Sequence, residues 1–188
     1  MEIYNKIRRI GGDYLHEHGI LLYELAKSIG NGTILELGIG IGRSTRIMLL
    51  GLEGILYSID NGRGKQFIVR YKNHPHWKFI EGYDLDVLPN LDIQVDMCFV
   101  DLDLNSDKSH YFKQLTLIHN LLKEDGFIVM KNTTINPKEL KAIELFSNIY
   151  KYEFTSYSKR HGITILSKNL NKVKNIIKEL ETKIGMLK

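Results

Sequence analysis

Glycine stands at every second position in Gly38-Ile39-Gly40-Ile41-Gly42, between a β-rich run at residues 33–37 and a helical stretch at 44–50. A strand-to-helix turn brings backbone against a ligand only where no Cβ intervenes, and the helix start behind it offers unpaired N–H groups. The chain on either side repeats the same alternation. Leu21, Leu22, Leu25, Ala26 and Ile29 mark a helix over 12–30. A second strand, 54–59, ends at Asp60, and a helix over 65–72 and a strand over 77–81 follow. The fourth strand, 95–100, is almost wholly apolar, as a parallel strand covered on both faces should be. Tyr111, Phe112, Leu115, Ile118, Leu121 and Leu122 stripe a longer helix that Gly126 should end, ahead of a fifth strand at 127–130. Asn136-Pro137 reads as a helix start, asparagine as cap and proline in the first turn. Residues 150–157 and 163–166 are two more strands, so closely spaced that they must form an antiparallel hairpin. Strand–helix alternation through five strands predicts an α/β fold, a parallel sheet with helices on both faces.

A glycine turn after a strand suits a phosphate binder, a nicotinamide enzyme or a methyltransferase. The dinucleotide pattern G-x-G-x-x-G needs glycine at 43, where the chain has Arg43. The phosphate loop G-x-x-x-x-G-K-[ST] is absent. Glu36, two residues before the first glycine, would repel a pyrophosphate but attract the ammonium of a methionine moiety. Asp60 is placed to accept hydrogen bonds from ribose hydroxyls, a role that serves nicotinamide enzymes equally. A tight turn with no ligand is the plain alternative, and acids at both strand ends argue against it.

Ile34-Leu35-Glu36-Leu37-Gly38-Ile39-Gly40-Ile41-Gly42-Arg43-Ser44-Thr45 resembles motif I of class I S-adenosylmethionine-dependent methyltransferases. It is closest in pattern to the branch reading E-x-G-x-x-x-G-x-S, shared by catechol-type O-methyltransferases and related small domains. The resemblance runs over residues 19–166. It implies a Rossmann-like, seven-stranded, mostly parallel sheet with the last strand antiparallel, and S-adenosyl-L-methionine as cofactor. It also implies that Glu36, Gly38, Gly40, Gly42 and Ser44 surround the amino-acid end of the cofactor and Asp60 the ribose. Gly82-Tyr83-Asp84 would lie near the adenine and Asp101 at the methyl-donor end.

The acceptor side departs from the family pattern. Metal-dependent members hold a divalent ion with an aspartate after the fourth strand and an Asp-Asn pair after the fifth; here the residues are Asp101 and Lys131-Asn132. Lysine cannot serve as an oxygen ligand for Mg²⁺. Adjacent strands lie about 4.8 Å apart, so Asp101 and Lys131 are expected to pair across the site, with no metal and with Lys131 orienting or activating the acceptor. A structural ion pair is the competing role. Related non-metal domains carry a histidine after the fourth strand where this chain has Leu104; His110 falls later, either as a replacement base or as a helix-surface histidine. His16 and His18 diverge around their helix, a poor metal pair, but lie where they could line the acceptor pocket.

The 188 residues suit a single domain: an N-terminal helical segment to 32, a core from 33 to 168 and a basic C-terminal helix from 169 to 188. Residues 168–188 hold six lysines and two glutamates, which accounts for the whole net charge of +4 and leaves the body neutral. A nucleic-acid partner is therefore not expected. No apolar run is long enough to span a membrane, and the single cysteine, Cys98, fits a reducing compartment, so a cytoplasmic protein is expected. Leu170, Val173, Ile177, Leu180, Ile184 and Leu187 form a short heptad-like seam, to dock on its own domain or to make a homodimer contact. The expected activity is methyl transfer to a small-molecule acceptor. Its rivals are a non-catalytic cofactor-binding protein and an NAD-dependent oxidoreductase.

Overall fold

The structure, a computed structural model, describes the backbone of residues 2–62, 64–101, 107–157 and 161–185, with side chains throughout these except at 13–16, 184 and 185. In chain order the elements are α1 (Glu2–Ile29), β1 (Thr33–Leu37), α2 (Arg43–Gly51), β2 (Ile55–Asp60), α3 (Lys65–Tyr71), β3 (Trp77–Glu81) and α4 (Asp84–Val87). A 3₁₀ turn at Leu88–Asn90 precedes β4 (Val95–Val100), α5 (Lys108–Leu121), β5 (Leu122–Lys131), α6 (Pro137–Tyr150), β6 (Glu153–Tyr157), β7 (Ile163–Ser167) and α7 (Asn171–Gly185). The strands form one sheet in the order β3-β2-β1-β4-β5-β7-β6. All pairings from β3 to β5 are parallel, and β7 runs antiparallel to both its neighbours. This is the seven-stranded Rossmann-like methyltransferase fold.

Two layers of apolar side chains follow from the strand period of two. Ile34, Met97, Phe99, Phe127 and Val129 face α1, α2 and α7. Leu35, Leu37, Cys98, Val100, Ile128 and Met130 face α5 and α6. The register aligns Leu37 with Ile59 and Val100, and Val100 with Met130. The residues that follow, Gly38, Asp60, Asp101 and Lys131, therefore collect along one edge of the sheet. Between β1 and β4 the strand order reverses, the place where such sheets open a crevice for ligands.

Three boundaries differ from the sequence expectation. The first helix begins at Glu2 rather than 12, and it is broken at Gly12 (φ 65°, ψ −179°). Tyr4 Oη donates to Glu24 Oε1 at 2.6 Å, residues that a straight helix would hold about 30 Å apart. Gly12 thus turns the chain back on itself. The apolar positions Ile3, Ile7 and Ile10 are the stripe of this first arm, and Ile7 is completely buried. Secondly, α5 passes straight into β5 at Leu122, not at 127 after a stop at Gly126; the Leu122 N–H closes the helix on the carbonyls of Ile118 and His119. Thirdly, α6 extends to Tyr150 and ends on Lys151 in the left-handed region, so β6 starts at Glu153 rather than 150. The expected start of α6 is as read: Asn136 Oδ1 accepts from the N–H groups of Lys138 and Glu139.

The C-terminal seam docks on the same chain. Leu170, Val173 and Leu180 are buried in the layer that contains α1, and Lys172 Nζ donates to the Ser28 carbonyl at 2.8 Å. Ile184 and Leu187 of the seam lie outside the described side chains. Leu180→Ala should lower the free energy of unfolding by roughly 2–4 kcal/mol in urea titrations, the usual cost of a cavity at a fully buried leucine. Thr182→Ala, at an exposed position of the same helix, should change it by less than about 0.5 kcal/mol.

Candidate active site

The glycine turn is held from below and open above. The Gly38 N–H donates to the Ile59 carbonyl and the Gly42 N–H to the Ile39 carbonyl, each at 2.9 Å. Gly38, Gly40 and Gly42 have φ of 88°, 53° and 73°, a region that side chains with a Cβ rarely enter. A Cβ on Gly42 would also run into the Phe67 ring, whereas a Cβ on Gly40 would meet nothing within 4 Å. Asp60, at the end of β2, is anchored to the turn: its Oδ2 accepts from the Ile39 N–H at 2.9 Å. The first and second strands thus present a bare backbone turn beside a carboxylate, as a ligand with both a polar tail and a diol requires.

Glu36 lies beneath this turn rather than in the cleft. The sequence suggested an attraction to a ligand ammonium. Instead its carboxylate is 0% exposed and accepts from Ser44 Oγ (2.7 Å), Thr45 Oγ1 (2.8 Å) and Ser58 Oγ (2.6 Å). Ser44, expected at the cofactor, faces Glu36 in the same way. Trp77 Nε1 donates to Ser58 Oγ at 2.8 Å and extends the network to β3. Burial pushes the Glu36 carboxyl up to about 7; the three hydroxyls oppose the rise and the charge of Asp101 adds to it.

At the other side of the crevice the expected pair is formed. Lys131 Nζ lies 2.7 Å from Asp101 Oδ2, and Asn132 Nδ2 lies 3.4 Å from Asp101 Oδ1. Asn132 takes a left-handed conformation (φ 70°) with its N–H on the Gly162 carbonyl, so the β7 side of the hairpin fixes the end of β5. Glu139, in the first turn of α6, is 3% exposed. Burial first, then the charge of Asp101, raises its carboxyl to about 8, against a lowering hydrogen bond with Asn136. Asn136 Nδ2 donates to Tyr111 Oη at 2.9 Å. Nothing in the acceptor motifs pointed to Glu139; its place three residues after a capping asparagine was the available signal.

His110 is not brought to the Asp101–Lys131 pair. Its Nε2 lies 3.0 Å from Asp84 Oδ2, and Gln114 Nε2 donates to the same oxygen. Asp84 is correspondingly buried, at 8% exposed, and ties α4 to α5. Its neighbour Tyr83 is 65% exposed, and Gly82 has φ 155° and no room for a Cβ, which would strike Val87. Of the Gly82-Tyr83-Asp84 segment, then, Tyr83 and the backbone face outward and the acid faces in. His18 is buried in edge contact with the Tyr157 ring, 6.2 Å between centroids, near the end of β6. The expected departure at Leu104 and the His16 side chain lie outside the described residues.

Two carboxyls that hold a proton more tightly folded than unfolded set the sign of the pH dependence. Their stabilisation is complete below the ordinary value of 4.5 and is lost as pH rises through about 7 for Glu36 and about 8 for Glu139. Urea stability should therefore fall from pH ~5 to ~8.5, and Glu139→Gln should flatten the upper part of that fall. Trp77 is the only tryptophan and reaches Glu36 through one hydroxyl. Its emission should titrate near neutrality in the parent protein and stay flat in Glu36→Gln.

Comparison with known proteins agrees with this geometry. A family model described as a methyltransferase domain matches residues 35–133, more than half of the chain, from within β1 to just past the end of β5. No curated protein matches the sequence. Among solved structures, an O-methyltransferase of Streptomyces achromogenes involved in tomaymycin synthesis, in complex with SAM, is similar with a TM-score of 0.63 at 20% identity, covering 89% of each chain. An O-methyltransferase of Bacillus cereus in complex with SAH gives 0.63 at 18% identity, over 88% of this chain and 90% of that one. A methyltransferase of Podospora anserina bound to SAH gives 0.62 at 19% identity, over 88% and 86%. Motif, sheet order and family model converge: the chain belongs to the methyltransferase-domain family.

Proposed function

We propose that the protein binds S-adenosyl-L-methionine across the β1–β4 crevice and transfers its methyl group to an oxygen of a small-molecule acceptor without a metal ion. The observation that carries the metal-free part is the Lys131–Asp101 pair at 2.7 Å, an ammonium in the position where metal-dependent relatives have a carboxylate. The donor half fits the cofactor in its bare turn at Gly38, Gly40 and Gly42 and in Asp60 beside it. It departs in Glu36, which supports the turn from within and offers the cofactor no open carboxylate. When bound, the cofactor supplies an electrophilic methyl carbon on a sulfonium.

The remaining work belongs to the chain's own residues. Lys131 Nζ, aimed by Asp101 and 16% exposed on its side chain, donates to the acceptor oxygen and favours its anionic form. An ammonium cannot take the acceptor's proton, which passes to water as the oxygen becomes anionic, so Lys131 acts as an electrostatic and orienting group. Alignment of the two reactants can supply a large part of the rate. His110, engaged by Asp84, acts as an anchor of the adenine segment. The bound SAM and SAH of the similar structures and the neutral body of the chain support this reading.

Calorimetry should show S-adenosylhomocysteine binding and no NAD binding. In a homocysteine-release assay with a panel of phenolic and other hydroxyl acceptors, turnover should persist in excess chelator and gain nothing from added Mg²⁺. Lys131→Met should cut kcat by about 10²-fold or more while leaving S-adenosylhomocysteine affinity within about twofold. Loss of activity on chelation, restored by Mg²⁺, would sink the metal-free mechanism. Cofactor binding with no turnover on any acceptor would favour a non-catalytic binding protein.

A further inference from the structure

A second cavity lies beside the glycine turn. About 500 Å³ in volume, it is bounded by Gly40 of the turn, Gly64 of the loop after β2, Arg46 of α2, and Lys65, Arg70 and Tyr71 of α3. None of Glu36, Ser44, Asp60, Asp84 or Asp101 lines it, so it adjoins the crevice described above, with Gly40 of the turn as the shared wall. No acid is among its described lining residues. Lys65 and Arg70 form no ion pair among the described residues, and the Arg46 guanidinium makes only one weak bond, from Nε to the Gly42 carbonyl at 3.3 Å. Three cations thus line one concavity, in a body (residues 1–167) whose net charge is zero. Lys131, Lys123 and Lys183, by contrast, are paired with Asp101, Asp96 and Glu24.

One wall is aromatic. Tyr71 stacks on the buried Phe67 ring, 4.4 Å between centroids and 18° between planes, and is itself half-buried, so its orientation is fixed from behind. Guanidinium groups match phosphate oxygens geometrically, and a fixed ring offers a flat surface to a planar group. The basic residues line one hollow, and residues 1–167 carry no net charge. These features suit a compact ligand better than a nucleic-acid strand, which needs an extended basic path.

We propose that this cavity binds a small phosphomonoester, its phosphate held by Arg46, Lys65 and Arg70 and its organic part against Tyr71. The site needs no methyl transfer and stands whether or not the active-site reading holds. Because Gly40 belongs to the turn and Gly64 to the loop after Asp60, an occupant would touch both segments that border the cofactor crevice.

Calorimetry with phenyl phosphate and with inorganic phosphate, on the full chain at low salt, tests it. Both should bind, phenyl phosphate several-fold more tightly, with affinity falling as salt rises. The double variant Arg46→Ala/Arg70→Ala should bind phenyl phosphate at least about tenfold more weakly. Its urea midpoint, read by Trp77 emission, should match the parent's, which shows that it folds. Should that variant be misfolded, Lys65→Met with Gln66 untouched replaces it, with the same loss expected. Absence of binding by either phosphate, or equal binding by parent and folded variant, overturns the proposal. Binding of a single-stranded oligonucleotide with none of phenyl phosphate overturns it in favour of a nucleic-acid surface.

Discussion

A carboxylate with no access to water must find donors on every side or lose its charge. Glu36 has three, and their positions matter more than their number. Ser58 belongs to β2; Ser44 and Thr45 open α2; Ser58 in turn receives Trp77 of β3. One side chain therefore fixes the strand before the glycine turn, the helix after it and the two strands beside it. The turn spans only the residues between Glu36 and Ser44, both ends clamped to the same group. Together with the bonds from Gly38, Ile39 and Gly42 within and beside the turn, that clamping lets three alternate residues keep positive φ and leaves the upper surface of the turn bare.

The donor half of the site was legible because main-chain geometry dictates residue type there. Positive φ demands glycine, a helix start demands a cap, and a buried central strand demands an apolar run, so Gly38, Asn136 and 95–100 could each be read alone. Asp101 and Lys131 were legible for a related reason: they follow paired strands whose register the pattern sets. The direction of Glu36 was also encoded, though less openly. With a period of two it shares the face of Ile34, toward α2, and so cannot point as the backbone of the turn points. The pairing of His110 with Asp84 had no such signal, since it depends on how α4 packs against α5, and no local rule relates residues 26 apart. The first arm of α1 was missed because Gly11-Gly12 looks like the beginning of a helix, while its conformation makes it a bend between two.

At the acceptor end, charge is balanced within a small volume. Burial raises both Glu36 and Glu139, the charge of Asp101 adds to the rise in each, and Lys131 binds Asp101 directly. The arrangement keeps two carboxyls inclined to hold their protons and leaves Asp101 as the anion facing the lysine. A single ammonium is then matched by a single carboxylate, and the neighbouring acids do not compete for it.

The two ends of the chain meet in one layer. α1 precedes all the strands and α7 follows them, and the side chains of both fill the same side of the sheet. During synthesis the stripe on α1 has no complete cover until the C-terminal helix has left the ribosome. The opposite layer, built on α5 and α6, can close some 20 residues earlier. Maturation of this domain is thus ordered by its topology: one side of the sheet can consolidate before α7 is made, and the side that carries the glycine turn's supporting helix is sealed only once α7 is present.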